Sequence, residues 1–398
     1  MLINFTVSGF SSIKEKQELT LCAFNKQRIK NTRYEDNYIL DSFNRATKST
    51  VIFGNNAVGK TNILYAIHSL LEMICTGRLL SNLKLFNFQS EYISYEIVIE
   101  TNEKIMYTYA LAINKGEEVV SEQLKRNNTI IYDYKESKLR STFLDEKILT
   151  NKLIQMPYDK SIKDEKILDI YSITSTSTIL SKIKDFIKDI YDEFLTSVID
   201  IIVVHDSFIN VALKNFELNY NKNDKLIIEK NKKLVQLILA QVDSTITDIE
   251  FVERTNEEGE LRYGLIICRN IGNNEVAKYS FAFESNGVKK ISAIIISLLK
   301  VYMGKTIIID ELDSSISTRS LILLFNKIIN TSQNKNGQLI VTTHNLNLFD
   351  LTFFAPEQLY VVYKDENLTT KINSLADFKL RSNKKNLASE FLKGQFEG

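Results

Sequence analysis

The chain has 398 residues, of which 44% are hydrophobic and 25% charged, and it carries a net charge of +1. That length and apolar share support a sizeable globular core, in two domains or one large discontinuous one, while the near-neutral balance supplies no overall field for gathering nucleic acid. Cys22, Cys75 and Cys268 are too scattered for metal-ligand spacing and point to a reducing compartment; neither an N-terminal leader nor an apolar run approaching about 18 residues indicates export or a membrane, so the expected setting is cytoplasmic.

In chain order, the first informative element is Thr50-Val51-Ile52-Phe53, an apolar run that reads as a short buried strand. It leads into Gly54-Asn55-Asn56-Ala57-Val58-Gly59-Lys60-Thr61, which fits the phosphate-loop pattern of glycine, four free positions, then Gly-Lys-Ser/Thr. Glycines let the backbone curl so that successive amide N–H groups face one anion. Lys60 would reach the β- and γ-phosphates of a bound polyphosphate, and the Thr61 hydroxyl would ligate Mg²⁺. Thr61, Asn62 and the residues to Ile67 open a helix whose N-terminus favours the same anion.

Glu91 to Asn114 alternates, with Ile93, Tyr95, Ile97 and Ile99, then Ile105, Tyr107, Tyr109 and Leu111, on either side of Thr101-Asn102-Glu103-Lys104. Period two on both sides of a polar turn predicts a hairpin, which Val119 to Tyr134 extends into an antiparallel lobe. From about 141 to 245 the period becomes helical. Ile179, Leu180, Ile183, Phe186, Ile187, Ile190, Tyr191 and Phe194 form one apolar stripe, and Asn223-Asp224 is the candidate cap of a helix carrying Ile227, Ile228, Leu234, Leu237, Ile238 and Ala240. No sustained heptads point to a coiled-coil arm, so a compact helical insertion is expected.

Phe283-Glu284-Ser285-Asn286-Gly287-Val288-Lys289-Lys290 precedes an apolar helix from Ile291 to Val301. Ser285 and Gly287 make a small turn at a helix start: a plain cap, or a second anion site that need not serve the same subunit's nucleotide. Thr306-Ile307-Ile308-Ile309-Asp310-Glu311 is an apolar strand ending in two carboxylates, at the end of a parallel strand where ligands of open α/β sheets sit. Asp310 is placed to hold Mg²⁺ and Glu311 to polarise an attacking water, which with Lys60 is the minimum set for phosphoryl transfer. Gln338 to Asn345 is another apolar strand, and its His344 either reports the γ-phosphate or is a strand-end histidine satisfied by backbone. His68 reads as core and His205-Asp206 as a turn; with His344 they make no metal triad. Lys379, Arg381, Lys384 and Lys385 are the nearest basic patch, and a solvated helix face is the plainer reading. Lys60 and Asp310 are too far apart in sequence for a minimal nucleotide fold, so something is inserted between them.

The order Gly54–Thr61, Ser285-Asn286-Gly287, Asp310-Glu311, Asp313 and His344 resembles an ATP-binding-cassette-type ATPase head. It lies closest to the branch shared with structural-maintenance-of-chromosomes and overcoming-lysogenisation-defect proteins, and within it to AAA-family ATP-binding proteins of abortive-infection type. Met1 to Ile13, Leu380 to Asn386 and Phe391 to Gly398 resemble the openings and closings of that group. The resemblance implies an α/β fold: an ABC-type P-loop head with a mixed central sheet, helices and an antiparallel β lobe. Residues 1–140 and 246–398 would form the head, and 141–245 the helical insertion.

The resemblance also assigns roles. Gly54, Asn55, Asn56, Ala57, Val58, Gly59, Lys60, Thr61 and Asn62 would bind ATP, Thr61 and Asp310 Mg²⁺, with Glu311 catalytic and His344 the switch histidine. Asp313 matches the dimer-contact aspartate, and Ser285 and Gly287 the signature turn that completes a partner subunit's site. Gln89 is, by position, the Mg²⁺-sensing glutamine, or else part of a plain loop. Two departures stand out: the signature reads Glu-Ser-Asn-Gly-Val-Lys-Lys rather than Leu-Ser-Gly-Gly-Gln, and Ser314-Ser315-Ile316-Ser317 lacks the histidine often found after the aspartate. The implied protein is an ATP-hydrolysing sensor subunit that dimerises, or assembles further, head to tail around ATP and controls a separately encoded toxic effector of nuclease type in antiphage defence. The chain stops too soon after His344 for an appended nuclease of its own. A DNA-clamping ATPase of repair or chromosome maintenance and a scaffold with negligible turnover are the alternatives.

Overall fold

Unbroken runs of β-branched and aromatic residues build a six-stranded, mainly parallel sheet. The computed structural model describes residues 1–24, 29–79, 85–136, 138–141, 167–169, 177–204, 219–255, 259–273, 275–378 and 387–397. Its central strands are β1 (Ser49–Phe53), β2 (Ile201–Val204), β3 (Thr306–Ile309), β4 (Gln338–Thr343), β5 (Leu359–Lys364) and β6 (Thr370–Ser374), in spatial order β2-β3-β4-β1-β5-β6. Neighbours run parallel except the β5–β6 pair. Every residue of β1, β3 and β4 is buried, as strands covered on both faces require. Alternate side chains serve opposite faces. Ile52 joins the core that contains helix α1 (Lys60–Thr76), whereas Val51 and Phe53 join the core that contains helix α2 (Asn286–Tyr302).

The far side of α1 meets an eight-stranded antiparallel sheet. The alternating hairpin forms as its pattern demands: Tyr92–Glu100 pairs with Met106–Asn114, and Val119–Arg126 and Thr129–Lys135 continue the sheet. Phe5, Ile97 and Tyr109 of this sheet share one core with Leu64, Ile67 and Leu70 of α1. His68 is not a core residue. Its side chain is 44% exposed and lies 3.9 Å from Glu72, because Tyr65, His68 and Glu72 form the outward stripe of α1 at helical spacing.

The stretch 141–245 is not simply helical. Ile201-Ile202-Val203-Val204 is a β-branched run with no helical period, and it becomes β2, an edge strand of the central sheet paired in register with Thr306–Ile309. Ile167–Asp169 joins the antiparallel sheet, and Asn219–Tyr220 pairs with Leu261–Gly272 in a smaller sheet. The expected apolar stripe is split between helices Ile179–Ile183 and Lys188–Ile199. The later cap is Asn221 rather than Asn223-Asp224, its side chain accepting from the Asp224 N–H at 2.8 Å. His205-Asp206 and the basic stretch Lys379 to Lys385 lie outside the described residues. No helix among the described residues is long and apolar enough to cross a membrane.

Candidate nucleotide site

β1 ends at Phe53 and α1 begins at Lys60, and the phosphate loop is the turn between them. Gly59, the residue before α1, has φ +110°, and a Cβ there would lie 2.3 Å from Thr370 Oγ1 and 2.9 Å from Ser12 Oγ. Only glycine fits both the backbone and the space. Ala57 is also left-handed at φ +63°, so the loop curls as an anion nest requires. Lys60 is 5% exposed; its Nζ donates to the carbonyls of Gly54 (2.8 Å) and Asn55 (3.0 Å) and sits 3.3 Å from both ring nitrogens of His344. Burial pulls the Lys60 ammonium below its ordinary pKa, opposed by the carboxylates of Glu311, Asp310 and Asp313.

The acidic residues arrive from the neighbouring strand ends. Asp310 follows β3, and its carboxylate accepts from Thr61 Oγ1 at 2.9 Å and from Thr342 Oγ1. Glu311 has φ +48°, a strained value for a side chain with a Cβ, and its N–H donates to Thr342 Oγ1 at 2.8 Å. Its carboxylate, 43% exposed, lies 3.5 Å from His344 Nε2. Asp313 Oδ2 accepts the His344 N–H at 3.1 Å, while Oδ1 is buried and, among the described residues, has no hydrogen-bond partner. Lys60, Thr61, Asp310, Glu311, Asp313 and His344 therefore form one linked cluster. Beside it a cavity of about 440 Å³ is lined by Gly54, Asn55, Asn56, His344, Leu346 and Phe391.

A hydroxyl and a carboxylate in contact form a pair of hard oxygen donors that suits Mg²⁺, which takes one or two protein ligands and completes its shell with water and phosphate. Thr61 and Asp310 would hold the ion, and Thr342 orients the carboxylate. Among the described residues no group of three or more His, Cys, Asp or Glu could hold a metal. Gln89 is not brought to this pair. It is exposed, its main-chain N–H donates to Asn87 Oδ1 at 3.0 Å, and no hydrogen bond among the described residues carries its side chain to Thr61 or Asp310.

The Ser285–Gly287 turn is built differently. Ser285 caps α2, its hydroxyl accepting from the Val288 N–H at 3.4 Å, and Ser285 and Asn286 are exposed. Glu284 explains the first departure from Leu-Ser-Gly-Gly-Gln. Its side chain is only 2% exposed, and the guanidinium of Arg269 pairs with it and with Asp243 at once. A leucine would fill such a position by packing; here a compensated charge fills it. Gly287 allows a close approach, since a Cβ there would lie 3.0 Å from the Ser315 carbonyl, a tight contact.

Ser12 and Thr370 escape a motif search. Ser12 Oγ accepts from Asn62 Nδ2 (2.7 Å) and bonds Thr370 Oγ1 (2.7 Å), which donates to the Val58 carbonyl at 2.7 Å. They clamp the phosphate loop from two elements remote in sequence. Phe391 is a third omission: it reaches the cavity through Phe349, whose ring centroid is 5.7 Å from that of Phe391 and 4.8 Å from that of Phe53. No short pattern marks Thr370, and Ser12 and Phe391 lie in stretches that resemble the group's openings and closings without a role attached to either residue.

Residues 49–350 match the family described as "AAA domain, putative AbiEii toxin, Type IV TA system". Among solved structures, the Smc head bound to the C-winged helix domain of ScpA aligns over 96% of this chain and 98% of that one, at 13% identity and a TM-score of 0.51. The SMC head domain from Thermotoga maritima aligns over 95% and 99%, at 13% identity and a TM-score of 0.46. No curated protein matches the chain. The first of these alignments shows the ABC-type P-loop ATPase head fold.

Proposed function

The chain belongs to the AAA-domain family with the AbiEii description, an ABC/AAA-type ATPase of the abortive-infection and SMC-like group, and on that premise we propose that it is an ATP-driven switch. The observation that carries the reading is the convergence of Lys60, Thr61, Asp310, Glu311 and His344 on the phosphate-loop cavity, while Ser285 and Asn286 face solvent. Two copies would sandwich ATP head to tail, each pocket combining one phosphate loop with the other copy's Ser285–Gly287 turn. Bound Mg²⁺ would supply charge neutralisation between phosphates. Lys60 would exchange its loop carbonyls for phosphate oxygens, and Glu311 would accept the proton of the attacking water. His344, between Lys60 and Glu311, would register whether the γ-phosphate is present.

Binding that favours the closed pair and hydrolysis that releases it make a two-state device. The family description, which includes a toxin–antitoxin system, supports a two-component setting in which this device restrains or licenses a separate toxic effector in the cytoplasm. Phosphate release by wild type, Lys60→Ala and Glu311→Gln tests the switch. Loss of a general base should lower kcat about 10²–10⁴-fold in Glu311→Gln and leave an ATP-bound dimer. Equal turnover in all three proteins would reduce the nucleotide to a structural ligand.

A further inference from the structure

Lys290 has no role in the reading above, yet its side chain is 0% exposed. An ammonium taken out of water must find strong acceptors. Lys290 Nζ donates to the main-chain carbonyl of Glu311 at 2.5 Å and to Ser314 Oγ. The residue stands in the first turns of α2, close behind Gly287, so it joins the signature turn to the loop that carries Glu311. Gly287 and Ser315 make a second point of contact between the same two elements.

The Glu311 peptide is thus fixed on both sides. Its N–H is on Thr342 Oγ1, its carbonyl accepts from Lys290 Nζ and, at 3.2 Å, from the Ser314 N–H, and between them the backbone is held at φ +48°. A left-handed residue of this kind persists only where its surroundings over-determine it. Without Lys290 the carbonyl keeps only the uncharged Ser314 N–H, so the peptide is held less firmly and the Glu311 side chain loses its fixed aim at His344.

We propose that Lys290 is a positioning residue that aims the Glu311 carboxylate and ties that aim to the placement of the signature turn on the same chain. The proposal rests on the ATP-switch reading. A partner's nucleotide that engages Ser285 and Gly287 pulls on α2, and through Lys290 it adjusts Glu311 in the chain's own pocket. The two pockets of a dimer are then coupled without any residue touching both.

The test is steady-state turnover and equilibrium ATP binding for full-length wild type, Lys290→Met, Ser314→Ala and Glu311→Gln. Misplacing a reacting group by about 1 Å can cost about 100-fold. Lys290→Met should therefore lower kcat by about that factor, with the ATP dissociation constant and KM within about twofold of wild type. Ser314→Ala, which removes one acceptor and leaves the buried charge in place, should lower kcat several-fold with the same split, and it decides the matter if Lys290→Met does not fold. Wild-type kcat in a folded Lys290→Met protein or in Ser314→Ala, or a loss matched by an equal rise in the dissociation constant, would overturn the role. If wild type is no faster than Glu311→Gln, the switch reading fails first and takes this proposal with it.

Discussion

The phosphate-loop cluster and the Ser285–Gly287 turn are both helix starts, yet they are finished in opposite ways. At α1 the loop is enclosed: Lys60 is buried, Ser12 and Thr370 press on Gly59, and two neighbouring strand ends deliver carboxylates and a histidine to it. At α2 the turn is held from below by Arg269 and Lys290 while Ser285 and Asn286 face solvent. One end is a receptacle and the other a displayed surface on a fixed mount. The difference teaches that a glycine-containing helix start has no fixed role until its surroundings are known, and it is what leads to the head-to-tail reading.

Substitutions can break either side alone. Gly59→Ala should have the largest effect, abolishing ATP binding, since its Cβ meets Thr370 Oγ1 at 2.3 Å on a backbone with φ +110°. Loss of the ATP-induced rise in Tm reports it, with dimer formation lost as a consequence. Arg269→Met should destabilise the fold by about 3–5 kcal/mol, because it leaves the Glu284 carboxylate buried and unpaired. Denaturant unfolding measures that loss, and the surviving folded protein should bind ATP normally if the two sides are separable. The same network sets an acid limit. Burial pushes the Asp243 carboxyl up, but hydrogen bonds from Thr245 and Arg269 outweigh it and hold the group below the usual carboxylate range. Stability from a depressed carboxylate is present above its unfolded pKa and lost as pH falls through the folded one. Wild type should therefore weaken below about pH 4, and Arg269→Met should show a shallower acid slope.

Smaller changes sharpen the contrast. Thr370→Val removes the hydroxyl that holds the Val58 carbonyl and should cost about 1–3 kcal/mol together with weaker ATP binding. Calorimetric titration with ATP would show whether the clamp shapes the loop; unchanged affinity would make it a stabilising contact only. Ser285→Ala removes a cap worth about 1 kcal/mol. It should weaken the ATP-bound dimer of a Glu311→Gln background, seen by light scattering, while monomer affinity for ATP stays as it was. Gln89→Ala should change neither turnover nor the Mg²⁺ concentration for half-maximal activity by more than about twofold, since its side chain makes no bond to Thr61 or Asp310. A large effect would return Gln89 to the metal site.

Much of this was readable from residue order. Strand β1, the phosphate loop and α1 follow from Thr50 to Ile67, because an apolar run, a glycine turn and a helical period are all local signals. The antiparallel hairpin followed from strict alternation. Ile201 to Val204 is a strand inside a stretch of helical period, because four β-branched residues are a short local signal and the partner strand lies beyond residue 300. His68 faces outward, although its helix is mostly buried, because it shares one helical stripe with Tyr65 and Glu72.

By itself, the sequence determined which residue types could handle a phosphate and which strands would deliver them. Those properties reside in short segments, in backbone freedom at glycine and in side-chain charge. Only the tertiary structure decided that Thr370 and Ser12 would shape the loop, that Arg269 would let a glutamate sit where an apolar residue would serve, and that Lys290 would reach the Glu311 carbonyl. Each of these is a contact between elements far apart in the chain, and packing brings such partners together without leaving a periodic mark in either segment.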